Sequence, residues 1–283
     1  MVSPSRRRDA VHYLCRRHGV SERRACQVVG QHRSTNRYRA VPPELELRLV
    51  ARMNELAARH PRWGYRKIWA LLRGEGFVVN RKRIERLWRL EGHRVPPRRR
   101  STGQKAVGGA GNAAWVMPAT GPHDVWSYDF VSARTEDGLA LRILNVVDEF
   151  TRICLGSKVA RNMGATDVER FLGELFERHG RPRILRSDNG REFIAQQLAD
   201  YLRGEGVGQA FIEKASPQQN AFVERFNGTM RDEILNGETF RSVLEAKVVI
   251  DSFVERYNTI RPHRGLGHMT PAAFFESIKA GRP

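Results

Sequence analysis

Three acidic side chains carry the strongest chemical signal in this sequence of 283 residues. Asp129 sits in Trp126-Ser127-Tyr128-Asp129-Phe130, Asp188 in Arg186-Ser187-Asp188-Asn189-Gly190, and Glu224 in Val223-Glu224-Arg225-Phe226. An isolated carboxylate in an otherwise apolar strand is costly to bury unless a cation meets it. Magnesium meets that demand with hard oxygen ligands, keeping several waters and taking one or two carboxylates plus a substrate phosphate. Two such ions about 3.5–4 Å apart activate an attacking oxygen and stabilise the leaving oxygen of a phosphodiester. The expected assignment has Asp129 bridging two ions while Asp188 and Glu224 each hold one, with manganese able to substitute because it accepts the same oxygen ligands.

The elements that must position these acids follow from the periodicity. Val125 to Val131, Leu139 to Asp148 and Arg152 to Val159 read as successive strands, joined through Asp137-Gly138 and Glu149-Phe150-Thr151. A helix from Ala165 to His179, a strand from Arg183 to Ser187, a helix from Ile194 to Gly204 and a strand from Gln209 to Glu213 come next. Helices then run from Asn220 to Asn236 and from Val243 to Asn258. This order is that of an α/β ribonuclease H-like core, in which Asp129 lies on the first strand, Asp188 at the end of the fourth and Glu224 on the helix after the fifth. On that helix Phe222, Phe226, Met230 and Ile234 form an apolar stripe, and Asn220, Glu224, Asn227 and Arg231 lie on another face.

The remainder of the chain is basic and helical. The 49 Lys plus Arg against 31 Asp plus Glu leave a net charge of +18, which calls for a polyanionic partner. Nothing is long and apolar enough to span a bilayer. The basic N-terminus precedes a polar helix, unlike a secretory signal, so the cytoplasm is the expected location. Cys15, Cys26 and Cys154 are expected as free thiols; Cys15, His18, Cys26 and His32 could be read as a zinc cluster, but both cysteines fall on apolar helix positions.

Helices over Asp9 to Arg17 and Glu22 to Val29, the latter capped by Ser21, and a short basic helix capped by Ser34 give residues 1–41 a helix-turn-helix pattern that predicts DNA contact. Residues 42–97 form a second helical module, in which Leu45, Leu49, Met53 and Leu56 recur at helical spacing. Helices at Tyr65 to Leu72 and Arg81 to Leu90 flank a brief strand at Phe77-Val78-Val79, and Asn80 caps the second. Trp63, Ile68, Trp69, Leu72, Ile84, Leu87 and Trp88 are assigned to its core, and Arg62, Arg66, Lys67, Arg81, Lys82, Arg83 and Arg86 to the outside, facing phosphates. Residues 98–121, with Arg98-Arg99-Arg100 and Gly108-Gly109-Ala110-Gly111, read as a basic linker, leaving 122–283 as the core with a C-terminal helical extension.

Specific motifs narrow the reading. Asp188 and Glu224 are separated by 35 residues, and two aspartates with a glutamate at that spacing resemble the DDE signature of retroviral integrases and related bacterial transposases. Ser187 to Phe193, Ser216 to Gly228, and Tyr257-Asn258-Thr259-Ile260-Arg261-Pro262-His263-Arg264-Gly265-Leu266 resemble the second-frame product of insertion sequences of the IS-three type. The resemblance extends to Arg62-Trp63-Gly64-Tyr65-Arg66-Lys67 and to Val20 through Arg39. It implies a two-metal transposase that cleaves double-stranded DNA at element ends, joins the freed 3′ hydroxyl to target DNA and acts as a homo-oligomer at the bacterial nucleoid. It also implies an upstream-frame protein or fusion partner, since in that family a frameshift often adds another helix-turn-helix and a zipper segment. A catalytically idle DNA-binding regulator is the alternative; a ribonuclease H-type nuclease would leave the N-terminal modules unexplained. Asn189 and Gly190 are expected to shape the turn after Asp188, and Lys214, Arg225 and Arg231 to contact phosphates. His263 is expected either near the scissile phosphate or in a hydrogen bond that fixes the C-terminal segment.

Overall fold

A computed structural model describes residues 3–37, 44–97, 118–190, 192–212 and 220–281. The chain divides into two compact units, Met1–Arg52 and Met53–Pro283. The division falls inside a helix, whereas the sequence placed its first boundary at Pro42-Pro43. Among the described residues, no helix is long and apolar enough to cross a membrane.

The first unit contains α1 (Pro4–His18), α2 (Glu22–Val29), α3 (Arg33–Arg37) and the start of α4 (Glu44–Arg59). Helix α1 begins earlier than the sequence indicated, because Ser3 caps it and Pro4 occupies a first-turn position where its missing N–H costs nothing. Ser21 caps α2 as expected. Ser34 lies inside α3 and hydrogen-bonds the His32 ring, so the helix starts one residue before the expected cap. Val11, Ala25 and Cys26 make the small core with Cys15 packed against them, which places both cysteines among apolar side chains. Asn36 and Arg37 of α3 both donate to the Glu22 carboxylate, pulling it down to about 2.

In the second unit, α5 (Tyr65–Gly74) and α6 (Arg81–Leu90) bury Ile68, Leu72, Ile84, Leu87 and Trp88. Trp63 is buried, whereas Trp69 is half-buried and donates its indole N–H to the Val79 carbonyl. The expected strand at Phe77 to Val79 is absent: its apolar residues find no partner strand, and Val78 is fully exposed. Leu45 also stands in solvent while Leu49, Met53 and Leu56 are buried.

The rest of this unit is a five-stranded sheet in the order β3-β2-β1-β4-β5. Its strands are β1 (Val125–Arg134), β2 (Ala140–Asp148), β3 (Cys154–Ala160), β4 (Ile184–Ser187) and β5 (Gly208–Phe211). The first three run antiparallel, and β4 and β5 continue parallel to β1. One face packs Trp126, Tyr128, Leu144 and Val146 against α7 (Ala165–His179) and α8 (Gln196–Gly204). The other packs Val131, Ile143 and Val147 against α9 (Ala221–Met230) and α10 (Val243–Thr259). This is the ribonuclease H-like arrangement expected from the order of elements. Helix α9 widens into a π-helical turn at Arg231–Leu235, and α11 (Pro271–Lys279), whose bounds the sequence did not give, belongs to the expected C-terminal helical extension. The expected basic linker lies almost wholly outside the described residues.

Candidate active site

Strand register brings the site together. Asp129 on β1 pairs with Asn145 on β2, and Asn145 pairs with Ser157 on β3. On the other side of β1 the parallel register couples Ser127 to Arg186. Continued by two residues, that register sets Asp188, immediately past β4, beside Asp129. The residues Ser157, Asn145, Asp129 and Asp188 therefore form one row across four strands.

Helix α9 roofs this row. Val223, Phe226 and Met230 bury its packing face, which turns Asn227 onto the sheet and Glu224 toward the cleft. The true stripe starts at Val223: Phe222 is only half-buried and carries the Arg152 guanidinium 3.6 Å above its ring. Glu224 lies in the first helical turn, where the helix dipole favours negative charge.

A relay of hydrogen bonds fixes Asp129. Ser157 Oγ donates to Asn145 Oδ1 at 2.6 Å, and Asn145 Nδ2 donates to Asn227 Oδ1 at 2.6 Å. Asn227 must then present its N–H group to Asp129 Oδ2, 2.9 Å away. The other carboxylate oxygen of Asp129 accepts from the Phe130 amide at 2.8 Å. Sequence reasoning passed over Asn145, although a lone amide in Leu144-Asn145-Val146 is the same kind of signal as the lone Asp129.

Asp188 is held by its own turn. Gly190 N donates to Asp188 Oδ1 at 2.9 Å, and a Cβ at position 190 would stand 3.0 Å from that oxygen and 3.2 Å from the Phe193 ring. Close approach, not left-handed backbone, is thus the reason for glycine here. Phe193 is buried against Tyr128 and stacks on Phe130 at 5.1 Å, which pins this loop against β1 beside Asp129.

The electrostatics of the three acids are unbalanced. Burial, then the charge of Asp188, pushes Asp129 up to about 6. Desolvation, then Asp129 and Asp188, raises Glu224, whose outer surface remains open to solvent. Among the described residues none of the three is ion-paired. No three metal-ligating side chains among the described residues converge on a single point as the chain stands. Paired carboxylates are what magnesium ordinarily takes from a protein, and hard oxygen donors that raise one another's proton affinity match a divalent cation.

The basic residues assigned to phosphate divide in two. Arg66, Arg81, Lys82, Arg225 and Arg231 are exposed and Arg83 is half-buried. Arg62 and Lys67 turn inward, contrary to expectation: Arg62 pairs with Asp232, and Lys67 lies 3.6 Å from Glu233 and 5.2 Å from the Trp63 ring centre. Trp63 Nε1 donates to Glu233 at 2.9 Å and Arg261 pairs with the same oxygen, so Arg62-Trp63 and Arg261 tie the second module to the turn after α9. Lys214 and Ser216 to Gln219 lie outside the described residues.

Comparison with known proteins gives matches over most of the chain. Residues 119–217 and 205–271 match models described as integrase core domain, and residues 44–101 match an HTH-like domain. The chain is 37% identical over 273 residues to an uncharacterised 39.2 kDa protein of insertion element IS476 from Xanthomonas euvesicatoria, covering 96% of this chain and 78% of that one. It is also 37% identical to an uncharacterised 31.7 kDa protein of insertion element IS407 from Burkholderia multivorans, covering 92% of each. A transposase for insertion sequence element IS904 from Lactococcus lactis is 27% identical over 75% of this chain and 87% of its own length.

Proposed function

Because the chain belongs to the integrase-core transposases of bacterial insertion sequences, we propose that it cuts DNA at element ends and joins the freed 3′ hydroxyl to target DNA. The observation that carries this reading is the row of Asp129 and Asp188 facing Glu224, three acids in no ion pair among the described residues on a strongly basic chain. Asp129 and Asp188 would hold one divalent ion and Asp129 and Glu224 a second. Magnesium bound there supplies a polarised nucleophile and charge stabilisation at the phosphodiester.

The chain's own groups do the positioning. Asn227 and the Phe130 amide fix the Asp129 oxygens, the Gly190 amide fixes Asp188, and the first turn of α9 sets Glu224 across from both. The HTH-like module and the exposed arginines supply affinity for double-stranded DNA, and a homo-oligomer on DNA, with an upstream-frame partner or fusion, would bring two ends together. The work is done in the bacterial cytoplasm, where the nucleoid provides both donor and target.

The deciding experiment incubates the chain with labelled duplexes carrying the element's own ends, with magnesium, with manganese and with chelator. Metal-dependent nicking and joining is the expected result. Tight, end-specific binding without either product in all three conditions would overturn it in favour of a DNA-binding regulator.

A further inference from the structure

A second feature of α9 lies on the flank bearing Phe222, Arg225 and Thr229. A cavity of about 520 Å³ opens there, bounded by the end of α10 and the segment from Arg261 to Leu266. Lys67, Arg152, Arg225, Arg261 and Arg264 line it together with His263, and among the described residues no acidic side chain does. Glu233, outside the lining, engages Arg261 and Lys67 from behind, and Arg152 donates to the Glu149 carbonyl, which leaves Arg225 and Arg264 in no ion pair among the described residues.

The lining is built, not incidental. Arg152 holds a left-handed backbone, φ 66°, a conformation that costs a side-chain-bearing residue energy and persists only where surroundings enforce it. Its amide donates to the Asp148 carbonyl at 2.9 Å, and its guanidinium lies over Phe222. His263 sits edge-on to Tyr257 at 4.7 Å with its Nε2 buried and, among the described residues, without a hydrogen-bond partner. Burial, then Arg261, Lys67 and Arg152, drives His263 down to about 3. A buried imidazole nitrogen with no hydrogen-bond partner among the described residues, ringed by cations, suits an anion.

We propose that this cavity is a phosphate-binding subsite that takes a backbone phosphate of the bound DNA. The inference rests on the strand-transfer reading and adds a location. The Phe222-Arg225-Thr229 flank is turned by roughly 120° from Glu224, and a helix with its side chains is about 10–12 Å across. The phosphate held here is therefore a different one from the phosphate being cut, and His263 reads the DNA backbone at a distance from the chemistry.

The test uses the full chain with chelator present, so that strand transfer plays no part. The imidazole resonances of His263, assigned with His263→Asn, are followed at constant ionic strength during titration with inorganic phosphate and, separately, with an element-end duplex. The duplex should shift them saturably. Arg264→Gln and Arg225→Gln, both exposed substitutions, should each weaken duplex binding about tenfold and flatten its salt dependence by about one counterion. A shift with inorganic phosphate as well identifies phosphate as the recognised group. Resonances that move with inorganic phosphate but not with duplex would assign a free anion and overturn the DNA source; resonances that move with neither, or unchanged affinity and salt slope in both variants, would overturn the site. A chain that passes these tests yet never joins ends would sink the catalytic reading and leave the subsite standing.

Discussion

Glu149 and Asp129 are acids of the same sheet, and burial raises the proton affinity of both. Their surroundings differ in kind. Glu149, one residue past β2, has the Arg186 guanidinium 3.4 Å away, and Ser127 donates to its other oxygen; the Arg186 and Glu149 side chains are 6% and 1% exposed. Among the described residues Asp129 accepts hydrogen bonds from neutral donors only, a peptide N–H and the Asn227 amide, and the Arg231 charge acts on it without forming an ion pair. A charge that serves the fold carries its counter-ion with it, whereas a charge kept for chemistry is held in place by dipoles and left out of any ion pair. The basic cavity on α9 shows the second pattern with the sign reversed.

Removing single groups should separate the two patterns, and the largest effect belongs to the acids without partners. Glu224→Gln should lower single-turnover joining of a pre-cleaved end by roughly a thousandfold or more, a barrier increase of about 4 kcal/mol, while stability changes by no more than about 0.5 kcal/mol. A joining rate within tenfold of wild type would return Glu224 to the ordinary surface.

Arg186→Met should destabilise the protein by about 3–5 kcal/mol in denaturant melts, because it strands Glu149 as an uncompensated buried charge. A loss below about 1 kcal/mol would dissolve the distinction drawn here. Asp129→Asn should instead remove a pH dependence: the variant has no charge to desolvate, so its metal-free stability should stay level where that of the wild type falls by about 2–3 kcal/mol. The folded value near 6 stands above the free side chain's 3.8. Stabilisation by the neutral form is thus complete below about pH 3.8 and lost as pH rises through about 6, so wild type and variant should diverge across that window and stay parallel above it. The smallest effect is expected from Asn145→Leu, at about 1–2 kcal/mol. It should also move the acid limb of the joining rate to higher pH, since Asn227 loses the contact that turns its N–H toward Asp129. Loss of stability without that movement would make the relay purely structural.

Much of this was legible in the sequence because period and punctuation agreed. The three antiparallel strands, α7 and α6 announced themselves through apolar alternation, an Asp-Gly turn and the Asn80 cap, and the order of elements placed Asp129, Asp188 and Glu224 near one another. Contacts set by strand register were hidden. Nothing local says that Asn145 lies opposite Asp129, or that Ser157 lies behind it, until β1, β2 and β3 are paired. The inward turn of Arg62 and Lys67 was equally invisible, because their partners Asp232 and Glu233 lie about 170 residues away, on a helix whose phase is not the ordinary one. Val78 and Leu45 misled for the converse reason: apolar residues at the right spacing do not create a partner to cover them.

That altered phase governs more than local geometry. In Arg231–Leu235 the Asn236 amide reaches back five residues to the Arg231 carbonyl, 3.0 Å away, so one more residue occupies the turn than an α-helix would hold. Glu224 is set by the helix before the extra residue, Asp232 and Glu233 by the widened turn itself. Rewinding the same residues as an ordinary α-helix would swing everything downstream by about 100°, whereas the widened turn absorbs the extra residue and keeps the two flanks in phase. The turn thus works as a coupling between two clocks: it lets a single continuous rod keep catalytic time at one end and, a few residues later, mesh with Arg62, Trp63 and Arg261 at the other.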